Sequence, residues 1–238
     1  MLRSKIYLFS LVTCLLATMA FSAGTGDPIH VTFGLKYEVV PPKEGVEGNS
    51  ATLKFIPENF SKQKDVEVFV ERMNQAPKTV RSLTINDKNE IVFTNDPDKV
   101  FSFPLEGFVP GEPLRIGLFS KDGKERVFIS MTPTPIEVWD NKGRHFSLEL
   151  ESADGRAFKF IGEGFDPKES LVLISKTGKK TLRKKLSPTT AGRFSGTLRP
   201  SDGWKKSGTS RLEISGKTGS LWLNFDWGEA GATKGETI

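Results

Sequence analysis

The sequence predicts an all-β protein made of two tandem sandwiches, and three observations predict it. Apolar and polar residues alternate with period two along nearly the whole chain from Ile29 onward, and no window holds a helical period of useful length. Turn pairs such as Asp122-Gly123, Asp154-Gly155 and Thr218-Gly219 interrupt the alternation at the close spacing of a sandwich. The segments Phe101–Leu114 and Phe158–Leu171 agree at eight of fourteen positions without a gap, sharing Phe, Phe, Glu, Gly, Phe, Pro, Glu and Leu in that order. In this phrase alternating Phe marks one face of a strand, Gly its end, Pro and Glu a turn, and Leu the opening of the next strand.

Residues 1–22 read as a signal peptide. Arg3 and Lys5 make a positive start, Ile6 to Met19 an apolar run, and Ala20-Phe21-Ser22 places small residues where a signal peptidase cleaves, before Ala23 or Gly24. A lipid anchor on Cys14 is the alternative use of the same segment. No later stretch reaches the roughly 18 apolar residues of a membrane-spanning helix. The expected mature chain is therefore exported, to the periplasm, the outer surface or the medium, without a transmembrane segment. Cys14 is the only cysteine, so removal of the leader leaves no thiol for a disulfide or a metal.

Strand candidates follow in order: Ile29 to Val40, Ala51 to Ile56, Val66 to Val70, Thr79 to Ile85, Glu90 to Thr94, Val100 to Phe103, Leu114 to Phe119 and Arg126 to Met131, then His145 to Glu151, Ala157 to Ile161, Leu171 to Ser175, Lys180 to Leu186, Arg193 to Leu198, Ser210 to Ser215 and Ser220 to Asp226. The break, Thr132-Pro133-Thr134-Pro135, favours an extended linker because proline cannot donate to a ladder. It divides the chain into a first sandwich over 27–132, a linker at 133–135 and a second sandwich over 136–228. The tail 229–238 has little to bury and is expected to be mobile. A second self-comparison supports the division: Lys54–Phe60 matches Lys159–Phe165 at an offset of 105, and Pro104, Gly107, Arg115, Lys121 and Gly123 match Pro200, Gly203, Arg211, Lys217 and Gly219 at 96. Two ordered offsets near one hundred are what two copies with a shortened loop produce. The phrase at offset 57 is then one strand, turn and strand element used in different halves of the sandwich.

A hydrophobic content of 37% with eighteen Phe supplies two cores of domain size. The net charge of +5 is unevenly spread: residues 24–135 hold 14 basic and 16 acidic side chains, residues 136–228 hold 17 and 11. An anionic surface would be met by the second half.

Glu163-Gly164-Phe165-Asp166-Pro167-Lys168-Glu169, followed by an apolar strand and Gly192-Arg193-Phe194, resembles the Gly-Phe-x-Pro-x-Glu phrase of bacterial immunoglobulin-like modules in exported and surface proteins. The resemblance implies an immunoglobulin-like sandwich and carries no catalytic residues. A second resemblance is architectural. Periplasmic pilus chaperones also pair two such domains in a chain of this size, and Leu114–Phe119 with Arg115 would supply their alternating strand and cleft cation. This implies an alternative role as an assembly factor. A non-catalytic accessory of an exported enzyme is a third.

His30 and His145 both open strand candidates, and two histidines hardly furnish a zinc site or a triad. No catalytic residue, cofactor or metal is expected. Glu106 and Glu163 belong to the repeated phrase and read as turn-closing carboxylates. Asn86–Glu90 and Asn95–Asp98 read as hairpin turns, with calcium as the alternative. The strongest surface signal is the hairpin Lys176, Lys179, Lys180, Arg183, Lys184 and Lys185, closing at Gly178. Lysines on both faces suit first an edge strand protected from pairing, and the alternative is a patch for a protein, an acidic glycan or lipopolysaccharide phosphates, with nucleic acid the least expected. Lys205 and Lys206 beside Trp204 extend it, and Trp222 shares parity with Asn224 and Asp226, so it is expected to point outward. These ten residues form the expected binding set of an exported, non-catalytic binding or structural protein.

Overall fold

The computed structural model describes residues 32–41, 51–73 and 75–232. The leader with Cys14, the start of the first strand candidate with His30, and residues 233–238 of the tail lie outside the described residues.

The described chain is all β apart from one short helix. The first half contributes β1 (Gly34–Val40), β2 (Thr52–Glu58), β3 (Asp65–Arg72), β4 (Lys78–Ile85), β5 (Ile91–Phe93), β6 (Asp96–Val100), β7 (Ser102–Pro104), β8 (Leu114–Ser120) and β9 (Arg126–Met131). The second half contributes β10 (Ile136–Trp139), β11 (His145–Leu150), β12 (Phe158–Glu163), β13 (Leu171–Thr177), β14 (Lys180–Leu186), β15 (Phe194–Leu198), β16 (Ser207–Gly216) and β17 (Gly219–Gly228), followed by α1 (Glu229–Ala232). The strand pairs between them are antiparallel. They form four sheets, ordered β1-β2-β7, β6-β5-β4-β3-β8-β9, β10-β11-β12-β15 and β14-β13-β16-β17.

The strand order repeats. The order β1-β2-β7 corresponds to β11-β12-β15, and β4-β3-β8-β9 to β14-β13-β16-β17, at the offsets of about one hundred that the sequence carries. The first half adds β5 and β6 beside β4, and the second adds β10 beside β11. Within each half the two sheets share one apolar cluster. Leu53 and Phe55 of the small sheet meet Val68, Leu83, Ile116 and Leu118 of the large one. Phe146, Phe158 and Phe160 meet Leu173, Leu212, Leu223 and Trp227. Most of these side chains alternate with partly or fully exposed neighbours because only every second residue of a strand faces the core.

The recurring phrase is an arch that crosses between facing sheets. It joins β7 to β8 and β12 to β13, and the related Glu58-Asn59-Phe60 joins β2 to β3. Each arch buries its phenylalanine, Phe60, Phe108 or Phe165. The turn residue ahead of it has positive φ: 64° at Asn59, 66° at Gly107 and 74° at Gly164, where glycine carries no Cβ penalty. The carboxylates that close two of these arches are Glu112 and Glu169, both buried, rather than Glu106 and Glu163. Glu112 accepts from Arg72 Nε and Nη2, both at 3.1 Å, and from the Val109 N–H at 3.1 Å. Glu169 accepts from the Lys217 N–H at 2.6 Å. Glu163 is outside the core and pairs with Arg193.

Several local expectations need correction. Ile136–Trp139, which the strand candidates leave out, is a strand, with Trp139 opposite His145. Asp96 opens β6 instead of lying within a turn. The tail begins with α1, which packs on β17 and β16. The proline-rich segment is tied down: Gly111 donates to Thr134 O at 2.8 Å, and Leu150 donates to Gly111 O at 2.7 Å. Met73 and Val109 also pack against the second core, so the β7–β8 arch bridges the halves.

Candidate binding surface

The basic hairpin lies on an open sheet edge. Among the described residues β14 pairs only with β13, and six of its seven residues are exposed, leaving Leu186 partly covered. Gly178 has φ 56° in the first central position of a two-residue turn, where a II′ turn places glycine. Cross-strand register assigns the faces. Leu173 and Thr177 point into the core, so their partners Lys184 and Lys180, with Leu182 between them, take the inward side. Leu182 is 58% exposed there. Thr181, Arg183 and Lys185 take the outer side with Lys176.

The outer face of the four-stranded sheet continues this group. Register aligns Arg183, Ile174, Glu213 and Trp222 in one row across the strands, and Thr181, Lys176, Arg211 and Asn224 in the next. Trp222 does point outward and is half-exposed. The Arg211 guanidinium lies 4.3 Å from the centre of its ring, close enough for a cation–π contact. Trp222 and Arg183 are three strands apart, about 14 Å at ordinary spacing. Two carboxylates share the face: Glu213, 3.8 Å from Arg211, and Asp226, which accepts from Thr209. No ion pair joins Lys176, Lys179, Lys180, Arg183, Lys184 or Lys185 to a carboxylate among the described residues.

The structure brings the second cluster to the same end. Between β15 and β16 the chain places Asp202 directly against Gly178 at the hairpin tip. Trp204 is fully exposed on that loop, although the matching residue of the first half, Phe108, is buried. Lys205 pairs with Asp202 at 2.6 Å, and Lys206 is exposed beside it. The ten expected residues thus divide among an outer face, an inner edge and a loop at the hairpin tip.

An aromatic group on the first half escaped the sequence reading. Phe128 packs edge-on to Phe69 and Phe119, and Arg115 lies 4.4 Å from its ring centre. Gly117 is the cross-strand partner of both Phe69 and Phe128, and its missing Cβ leaves room for the rings of Phe119 and Phe128. Phe128 opposes residue 117 and Trp222 opposes residue 213, two places beyond Arg115 and Arg211 respectively. The two halves therefore carry an arginine on an aromatic ring at the same register. The β16–β17 turn is two residues shorter than the β8–β9 turn, which hides this correspondence at a fixed offset.

The other candidates have structural partners. His145 Nε2 lies 2.9 Å from Glu137, and its ring stacks at 3.9 Å on Trp139. Asn86 Oδ1 accepts from the Lys88 and Glu90 N–H groups, closing its turn. Glu125 accepts from Ser61 and Lys64 and fastens the β2–β3 arch to the β8–β9 turn. Burial raises its pKa, but these hydrogen bonds outweigh that and hold it below the ordinary 4.5. Hydrogen bonds from Ser120 and Lys64 hold Asp122 well below the usual carboxylate range. Among the described residues no group of His, Cys, Asp and Glu is placed to hold a metal ion. A crevice lined by Pro110, Ile136, Leu150, Phe158 and Phe225, with Asn224 and Asp226, is mainly apolar.

The fold defines an all-β protein of facing, sandwich-like sheets. A crystal structure of a tetra-tandem repeat in the extending region of a large adhesion protein matches over 84% of this chain and 50% of its own, at 11% identity and a TM-score of 0.28. The chain thus spans half the length of that structure. No protein-family model and no curated protein matches the sequence. No described helix is long and apolar enough to cross a membrane.

Proposed function

We propose that this is an exported, non-catalytic binding protein of two immunoglobulin-like domains, divided at residues 133–135, whose second domain grips an anionic glycan. The observation that carries the reading is the outer face of the β14-β13-β16-β17 sheet. There Trp222 offers a ring for a sugar face, and Arg211, Lys176, Arg183 and Lys185 offer cations for carboxylate, sulfate or phosphate groups. A flat sheet suits a polymer that lies across it, where a small molecule would need a concave site. The leader, the lack of a thiol after it and the excess positive charge of the second half support export and an anionic ligand.

The test is binding of a sulfated hexasaccharide and its desulfated counterpart, followed by tryptophan fluorescence across a salt series. The reading expects sulfate-dependent quenching that fades between low salt and 0.5 M, where screening shortens to a few ångströms. Trp222→Ala should weaken binding on the order of tenfold, as loss of a stacked aromatic does. Equal binding of both sugars, or binding indifferent to salt and to a Lys176→Ser, Arg183→Ser, Lys185→Ser triple variant, would sink it.

A further inference from the structure

The edge of β14 carries an inference separate from its outer face. The two-residue turn at Gly178 and Lys179 makes Thr177 and Lys180 a pair that exchanges both backbone hydrogen bonds. Ladder alternation then directs the N–H and C=O groups of Thr181, Arg183 and Lys185 away from β13, toward the open edge. Lysines on an edge discourage pairing between like edges. This strand carries four basic residues in seven, on both sides, with Leu182 left 58% exposed between Lys180 and Lys184. Protection alone accounts neither for the exposed leucine nor for cations that have no carboxylate partner among the described residues. In the first half, β4 has the corresponding place in its sheet, and there β5 pairs with it along Leu83–Ile85. Among the described residues the second half has no such strand beyond β14.

The geometry points to β14 as an acceptor for strand addition by an extended acidic segment of a partner protein. The added strand's N–H and C=O groups would complete the ladder at Thr181, Arg183 and Lys185, and its side chains would set carboxylates against Lys180 and Lys184 and an apolar residue over Leu182. Charge selects this occupant. A second β14 edge would be repelled, and a neutral strand would leave the cations unpaired. Because successive side chains alternate faces, the expected recognition pattern is acidic, apolar, acidic at every second position, over about seven residues or roughly 23 Å of strand.

The experiment uses the whole protein and a labelled nine-residue peptide, Thr-Thr-Glu-Thr-Val-Thr-Glu-Thr-Thr, whose Glu, Val and Glu fall on one face of a strand, at near-physiological salt. Hydrogen exchange should slow at the amides of Thr181, Arg183 and Lys185 when the peptide is added. A peptide with the same charges but alternate N-methylated amides should bind on the order of tenfold more weakly, because it cannot form the ladder. Thr181→Pro keeps every basic residue and removes one outward donor, so it should lose the peptide and retain the sulfated hexasaccharide. Equal affinity for the N-methylated peptide, or unchanged exchange at the three amides, would overturn the inference. So would concentration-dependent self-association that protects those amides without peptide, since the occupant would then be a second copy. Loss of the sugar alone would strike the outer-face reading and leave this one standing.

Discussion

Replacing Glu112 by alanine should loosen the β7–β8 arch and, through it, the joint between the two halves. The Arg72 and Glu112 side chains are 13% and 7% exposed, so deleting the carboxylate leaves a mostly buried guanidinium without its counterion. Breaking such a pair from one side costs about 3–5 kcal/mol. Arg72 keeps its bond to Gly107 O at 2.5 Å and its place 3.7 Å above the Phe108 ring, which moves the expectation just below that range, to about 2–3 kcal/mol. Urea unfolding followed by circular dichroism measures the loss. A cycle with Arg72→Met separates the coupling from the packing, and the double variant Arg72→Met, Glu112→Leu should recover much of the stability. Because Leu150 N–H bonds Gly111 O, exchange at that amide should accelerate in Glu112→Ala, although residue 150 belongs to the other half. A cost below about 0.5 kcal/mol, the range of an ordinary surface change, or no coupling to Arg72 would refute the clamp.

Gly162→Ala should cost about 1–3 kcal/mol in the same unfolding assay, since a Cβ there would enter the ring of Phe194, which is packed on Phe146, Phe160 and Phe165. Acid should destabilise the protein. Glu125 and Glu90, the latter lowered by Lys54 and Asn86, have depressed folded pKa values, so their contribution is complete above the unfolded value near 4.5 and is lost as pH falls through the folded values. The midpoint temperature should therefore hold from neutrality to about pH 5 and drop below about 4.5, with a shallower drop in Glu125→Gln; a rise on acidification would contradict this. Trp204→Phe should leave stability within about 0.5 kcal/mol, because the ring is fully exposed, and a larger loss in calorimetry would show that the loop packs differently.

The repeat was legible because each arch needs the same residue types: a small or turn-forming residue at positive φ, a phenylalanine to bury, and a buried aliphatic residue at the start of the facing strand, Val66, Leu114 or Leu171. Parity along β17 placed Trp222 outward, since a core on one side forces its neighbours Leu221 and Leu223 inward. What stayed hidden depends on partners distant in sequence. Nothing near Glu112 announces that its counterion is Arg72, forty residues earlier, so the phrase suggested Glu106 and Glu163 instead. Trp204 follows the phrase and breaks its packing rule, standing fully exposed on a loop whose Asp202 lies against Gly178 of another hairpin, a contact that no local pattern announces. The Phe69, Phe119 and Phe128 group requires three strands in register around Gly117, information that no single strand contains. The same limit applies to the hairpin: its basic residues were plain in the sequence, but their division between the outer face and the inner edge follows only from pairing with β13.

Backbone and indole NMR of the whole protein, titrated with the sulfated hexasaccharide, puts the proposed glycan surface at risk most directly. Shifts should concentrate at the Trp222 indole and at Lys176, Arg183, Lys185 and Arg211, with the aromatic group around Phe128 changed less. Shifts centred on the first half, or a spectrum unmoved by the sugar, would contradict the account.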